Sequence, residues 1–450
     1  MSGDRRIERD TMGQMAVPAD ALYGAQTARA MENFPISGRR FPRSFLRALA
    51  IIKSAAAYIN GAQGHLPADR AAAIEAAADE VAEGLHDAHF PLDIYQTGSG
   101  TSTNMNANEV IGKLAGAHPN DEVNRGQSSN DVIPSAMHVA VAERIHSALL
   151  PAMEKLQASL QRKSSEFHDV LKIGRTHLQD AVPMRMGQEF GGYARQVRAA
   201  RARVEAAMPG IYELALGGTA IGTGLNAPPG FARETIAELA RRTGLPFVEA
   251  PDHFEAQSAR DAICFLSGAL RTYAAALTKI ANDIRWLGSG PRCGLGELKL
   301  PAVQPGSSIM PGKVNPVIAE SLLMVCAQVM GYDATIVWCA AAGNFELNVM
   351  MPLMAADLLE SIELLAAGSA NFATKLIDGL EADRVRAEGY IEQSLSMGTA
   401  LAPEIGYEKA AALVKEAYAS GRTVRDVARE RSGLSEHKLK ELLDAETQAG

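Results

Sequence analysis

Between residues 261 and 286 the apolar side chains Ile263, Leu266, Leu270, Tyr273, Leu277, Ile280 and Ile284 recur in steps of three and four. That seven-residue repeat predicts a single helix roughly 39 Å long at 1.5 Å per residue, with one continuous apolar stripe that has to be covered along its whole length. Only lengthwise packing against other long helices does this. The composition agrees, since alanine is abundant and aromatic residues make up 5% of the chain, which favours closely approaching helices over a β-sandwich.

The remaining periodicity fills in a mainly α, bundle-like chain. Met137, Val141, Ile145 and Leu149 follow Pro134 in fours, and Leu156 and Leu160 continue the pattern after an expected kink at Pro151. Further helical runs are expected at residues 186–207, 317–330 and 353–372, with shorter charged pieces at 407–419 and 436–443. These shifts divide the chain into an N-terminal, mostly helical domain (1–126), a central helical bundle (127–384) and a small C-terminal helical domain (385–450).

Length and charge bound the function. The chain has 450 residues, 47% of them hydrophobic, and a formal net charge of −8, so nucleic acid is not an expected partner. Cys264, Cys293, Cys326 and Cys339 are too scattered for a disulfide framework or a Cys-x-x-Cys metal site. A reducing, cytoplasmic compartment is expected. The first ten residues mix Arg5, Arg6 and Arg9 with Asp4, Glu8 and Asp10, which does not read as a targeting segment. No apolar run is expected to be long and uninterrupted enough to cross a bilayer.

Two glycine patterns are decoys. Gly222-Thr-Gly224-Leu-Asn-Ala227 fits a dinucleotide fingerprint in letters only, because no strand is expected before it and Pro228-Pro229 follows. Gly306 to Lys313 has one residue too many for a phosphate-binding loop, and Val314 stands where a magnesium-binding hydroxyl is needed.

Four polar clusters carry more. The segment 305–316 is a glycine-flanked loop bearing Ser307, Ser308, Lys313 and Asn315, equally readable as a surface loop or as a mobile clamp for a carboxylate. Residues 174–180 set His177 beside Thr176 and a Gln/Asp pair at an expected helix boundary, suitable for acid–base work near neutral pH. Residues 97–104, and 118–121 with 127–131, are dense in short hydroxyl and amide donors that either bind anionic oxygens or cap helices.

In this order and spacing the clusters resemble the aspartase/fumarase superfamily, and within it the iron-independent class II fumarate hydratases. The likeness runs from Val17-Pro-Ala-Asp and Tyr23-Gly-Ala-Gln-Thr through Gly98-Ser-Gly-Thr-Ser-Thr-Asn-Met-Asn to Gly306-Ser-Ser-Ile-Met-Pro-Gly-Lys-Val-Asn-Pro, the most specific of these motifs. The resemblance implies a three-domain fold whose long helices assemble into a tetrameric 20-helix core, with each site built from three chains. It implies that Ser99, Gly100, Thr101, Ser128, Ser129 and Asn130 bind a substrate carboxylate, and that Thr176 and His177 come from a second chain. Ser307, Ser308, Lys313, Val314 and Asn315 would come from a third. Ser307 would be the base, His177 would act on the water, and Glu320 would support the charge of His177. His118, Pro119, Asn120 and Asp121 would match a secondary carboxylate site.

The implied reaction is reversible anti addition of water to fumarate, giving (S)-malate through an aci-carboxylate, in the citric acid cycle and without a metal or cofactor. His177, where ammonia-lyases resemble one another in having Gln, and Gln127-Ser-Ser-Asn130 favour the hydratase. An aspartate ammonia-lyase and a non-catalytic helical scaffold are the alternatives.

Overall fold

The structure, a computed structural model, describes residues 4–450. The expectation for the first ten residues therefore falls in part on residues 1–3, outside the described residues, while Arg5–Asp10 form a strand paired antiparallel with Gly13–Pro18. The chain gathers into two compact units. One comprises the chain up to Pro151 with Arg201–Ala274 and Ala327–Ala366; the other comprises Ala152–Ala200, Ala275–Cys326 and Ala367–Gly450.

Helices dominate both units. The heptad stripe forms a helix over Asp261–Leu287, and all seven of its stripe residues are buried. Burying each such side chain contributes about 1.5–3 kcal/mol relative to exposure. The other long helices are Arg43–Ala62, Met186–Ile211, Val317–Ala340 and Met351–Lys375. Among the described residues the β structure consists of four two-stranded sheets.

Several expectations change on contact with the fold. The helix expected after Pro134 starts earlier, at Ser129, and holds Pro134 inside it; so close to the helix start, the missing N–H leaves only one carbonyl without its partner. The irregularity expected at Pro151 is a π-turn over Ile145–Leu149 that joins this helix to Leu150–Glu166, the widening expected where a proline ring displaces the carbonyl four residues before it. A strand does precede Gly222, but it is the two-residue Glu213–Leu214 pairing with Val248–Glu249, and the next helix begins only at Phe231.

Helix Val317–Ala340 runs ten residues beyond its expected end at Met330. By length and composition it is apolar enough to cross a membrane, although Glu320 and Asp333 interrupt it, and only 33% of its most apolar window is buried within the chain. Met324 (69% exposed) and Trp338 (80% exposed) lie fourteen residues apart, with Gly331 midway, so they share one face in heptad steps. The apolarity arises because this helix is greasy on its outer face as well as its inner one.

Candidate active site

The N-terminal donor cluster is built at two helix starts. Gly100 (φ 73°) opens helix Thr101–Ala115 from the left-handed region, and a Cβ there would meet Ile133 at 2.9 Å, so glycine is required by both backbone and space. Ser128 caps helix Ser129–Arg144 in a reciprocal capping box with Asp131. The two starts bring Ser99, Thr101 and Ser129 together: the Thr101 hydroxyl lies 2.7 Å from that of Ser99 and 2.7 Å from that of Ser129.

Asp131 does more than cap. It is fully buried and accepts the N–H of Ser128 at 2.9 Å, of Gly217 at 2.9 Å and of Thr219 at 3.0 Å. Burial pushes its carboxyl above the usual range, against the pull of those N–H groups and of Lys53. The same loop reaches the cluster a second time, since Asn130 Nδ2 donates to the Ala220 carbonyl at 2.8 Å. Thr219 sits at φ 54°, an uncommon conformation for a non-glycine residue. The glycine-rich loop 217–224 is thus the backbone support of the donor cluster. The sequence offered only its density of glycines as a signal.

Behind the cluster Lys53 is buried, its amine donating to Asn124 Oδ1 at 2.9 Å, an oxygen that also receives Asn104 and Asn108 amides at 3.2 Å. Burial pushes the Lys53 amine down to about 7, with Asp131 acting in the opposite direction.

The second unit carries the His177 and Ser307 clusters. Thr176 and His177 are not at a helix boundary: Leu171–Thr176 and Gln179–Arg185 form an antiparallel hairpin in which Thr176 pairs with Gln179. Its turn is His177–Leu178, with φ of 56° and 60°, the type I′ geometry that matches strand twist and normally selects Asn-Gly. Lacking glycine, the turn gave no signal in the sequence. His177 is exposed at its tip.

Loop 301–316 is pinched at its base by Gly306 N–H donating to Lys313 O at 2.8 Å and by Asn315 Nδ2 donating to Gly306 O. Asn315 therefore closes the loop in this chain. The Ser307 Oγ accepts the N–H of Ile309 at 3.2 Å and of Met310 at 3.0 Å, while Ser308, Lys313 and Val314 are exposed. Glu320 is exposed in the first turn of helix Val317–Ala340. No hydrogen bond joins His177 to Glu320 or to Ser307 within the chain.

His118 caps a π-turn over Pro119–Val123 by accepting the Asp121 N–H on Nδ1 at 3.1 Å. With Pro119 and Asn120 it lines one end of a cleft of about 830 Å³ that also meets Arg6, Arg9 and Lys113. Among the described residues no three His, Cys, Asp or Glu side chains cluster as metal ligands.

Residues 13–331 match the family described as Lyase, and residues 398–447 match the Fumarase C C-terminus. The chain is 52% identical over 435 residues to the class II fumarate hydratase of Ralstonia nicotianae, covering 94% of each chain. It is likewise 52% identical to that of Thermosynechococcus vestitus, covering 95% of this chain and 94% of the relative. A recombinant class II fumarase from Schistosoma mansoni has a crystal structure that superposes with a TM-score of 0.97 at 42% identity, covering 99% of both chains.

Proposed function

We infer, from the premise that this chain belongs to the class II fumarate hydratase family, how its own residues divide the work of adding water reversibly to fumarate. The enzyme is a hydro-lyase, and its substrates are small dicarboxylates.

In the dehydration direction Ser307 takes the C3 proton of (S)-malate. The electron pair moves into the adjacent carboxylate as an aci-carboxylate, and collapse of that dianion expels the C2 hydroxyl, which His177 protonates to water. The observation that carries the assignment is the Ser307 Oγ, which accepts two backbone N–H groups; donors aimed at an oxygen stabilise its anionic form. Lys313 makes no ion pair among the described residues, so its charge is available for a substrate carboxylate. The three-hydroxyl chain of Ser99, Thr101 and Ser129, with Gly100, Ser128 and Asn130, takes the other carboxylate, each hydroxyl turning from its neighbour to the ligand. Thr176 and Ser308 flank these contacts, Val314 and Asn315 shape the clamp, and Glu320 supports His177 as it gains charge. His118 to Asp121 form a secondary carboxylate site.

Because His177, Ser307 and Glu320 are not joined within one chain, the reading places each site among three chains of a homotetramer. The exposed apolar faces of Met324, Trp338 and Phe265 supply the surface for a 20-helix core. The division into segments 1–126, 127–384 and 385–450, and a cytoplasmic location, belong to the same proposal.

Two measurements test it. Aspartate should not be deaminated at a rate approaching malate dehydration; the reverse would overturn the assignment of His177. His177→Asn and Ser307→Ala tetramers should each be nearly inactive, yet refolding the two together should restore activity at roughly a quarter of sites, by random assortment of chains. A properly mixed tetramer that stays as inactive as its parents would sink the three-chain site.

A further inference from the structure

Beneath the His177 hairpin lies a group of four charges, two of which, Lys172 and Glu297, are buried. Glu297 is fully buried and binds Arg175 in a bidentate pair, Nη2 to Oε1 at 2.9 Å and Nη1 to Oε2 at 3.1 Å. Lys172, also buried, reaches Glu297 at 3.3 Å and Glu189 at 2.9 Å. Two cations meet two carboxylates, so the group is neutral. Taking charges out of water is expensive, and apolar residues of similar volume usually fill such space at no loss of stability. A planar fork locked on a carboxylate does fix direction, which apolar packing does not.

What the group joins is informative. Arg175 stands in the strand that ends at Thr176, two residues before His177. Glu297 stands ten residues before Ser307, in the segment that leads through strand Leu298–Lys299 into the loop. That segment is held from the other side by the C-terminal helix Arg384–Gln393: Tyr390 Oη donates to Leu295 O at 3.0 Å, Arg386 donates to Gly294 O at 2.8 Å, and the Arg175 guanidinium lies 5.7 Å from the Tyr390 ring centre. Ile173, between Lys172 and Arg175, is buried in the apolar cluster of residues 391–443. Hairpin and loop segment are therefore fixed to one another inside a single chain, although neither His177 nor Ser307 bonds the other.

We propose that the Arg175–Glu297 pair is a positioning device that holds the His177 turn and the Ser307 loop of one chain in a fixed relation, so that a change at either is felt by the other. The proposal rests on the three-chain reading, under which one chain gives its His177 and its Ser307 to different sites; the bridge then couples two sites of the tetramer. Arg175 and Glu297 act through their neighbours and touch no substrate.

The test uses full-length tetramers. In Arg175→Met, kcat should fall at least 10-fold with KM for fumarate changed less than 3-fold, and the pH profile of kcat should shift; Arg175→Lys should recover only part, because it cannot form the fork. Glu297→Gln keeps the shape and should give the same split, which covers the case in which Arg175→Met assembles poorly. A lowered melting temperature with an unchanged kcat and pH profile would make the pair merely structural and overturn the proposal.

Coupling is read in mixed tetramers. A chain carrying His177→Asn is refolded with one carrying Ser307→Ala, with and without Arg175→Met added to the first. Of the acid and the base, that first chain supplies only its Ser307 to the restored sites, so a fall in restored activity on adding Arg175→Met is the expected result. Restored activity that is indifferent to Arg175→Met would confine the residue to its own hairpin and overturn the coupling. Failure of the underlying reading looks different: the two-variant mixture would then show no restored activity before Arg175 is touched.

Discussion

The hydroxyl of Thr101 lies 2.7 Å from that of Ser129, twenty-eight residues along the chain and on a different helix start. With Ser99 on its other side, Thr101 is the middle member of the hydroxyl chain. Thr101→Val keeps the shape and removes the link. A hydrogen bond to a charged group contributes about 1.5–3 kcal/mol, so KM for fumarate should rise about 10- to 100-fold while the melting temperature hardly moves. Steady-state kinetics on the folded variant check this, and an unchanged KM would remove Thr101 from the carboxylate contacts.

Gly306 closes the Ser307 loop, and a methyl group there would run into the Lys313 carbonyl. Gly306→Ala should open the loop base and withdraw Ser307 from the N–H groups of Ile309 and Met310. Because the loop is exposed, the loss should appear as a kcat at least 10-fold lower with little change in melting temperature. The contrasting control is Gly98→Ala, whose methyl would strike the backbone carbonyl of Val349, in a different segment of the chain, and should cost stability first.

Lys53 gives a pH signature in stability. Its amine is pushed from 10.5 down to about 7 by burial. Between those values the unfolded chain holds a proton that the folded chain does not, so unfolding free energy rises with pH, by at most about 1.4 kcal/mol per pH unit. Below about 7 both states are charged and the cost of burying the charge is fully present. Lys53→Met removes this dependence. Comparing the two proteins by thermal unfolding, the parent should gain on the variant by about 2 kcal/mol between pH 7 and pH 9. Parallel curves for the two would show that Lys53 does not titrate there.

Met324 and Trp338 mark the outer face of helix Val317–Ala340. Met324→Glu places a charge on that face and, for the proposed tetramer, should shift sedimentation velocity towards smaller species, with activity lost in step because the proposed site draws on several chains. A variant that remains tetrameric would mean that this face is not in the core.

Much of the fold was legible because helix periodicity is local. The stripe from Ile263 to Ile284 needs no knowledge of its partner to declare one buried face, and the boundaries of the expected helices follow to within about five residues except where the outer face is also apolar, as beyond Met330; helix Arg43–Ala62, buried on most sides, offers no such stripe and was not among them. The candidate site residues can be named by type and through family resemblance, since short hydroxyls, a histidine and a glycine-flanked lysine suit the proposed chemistry. Their arrangement was not. The His177–Leu178 turn carries no glycine, so only strand pairing imposes its positive φ angles. Asp131 looked like a helix cap, and its bonds to Gly217 and Thr219 depend on a loop 86 and 88 residues away. Arg175 and Glu297, 122 residues apart, are two ordinary charges until folding brings them into one bidentate pair beside Lys172. Periodicity and residue chemistry are written along the chain, whereas burial and charge pairing arise only when distant segments meet and water is excluded between them.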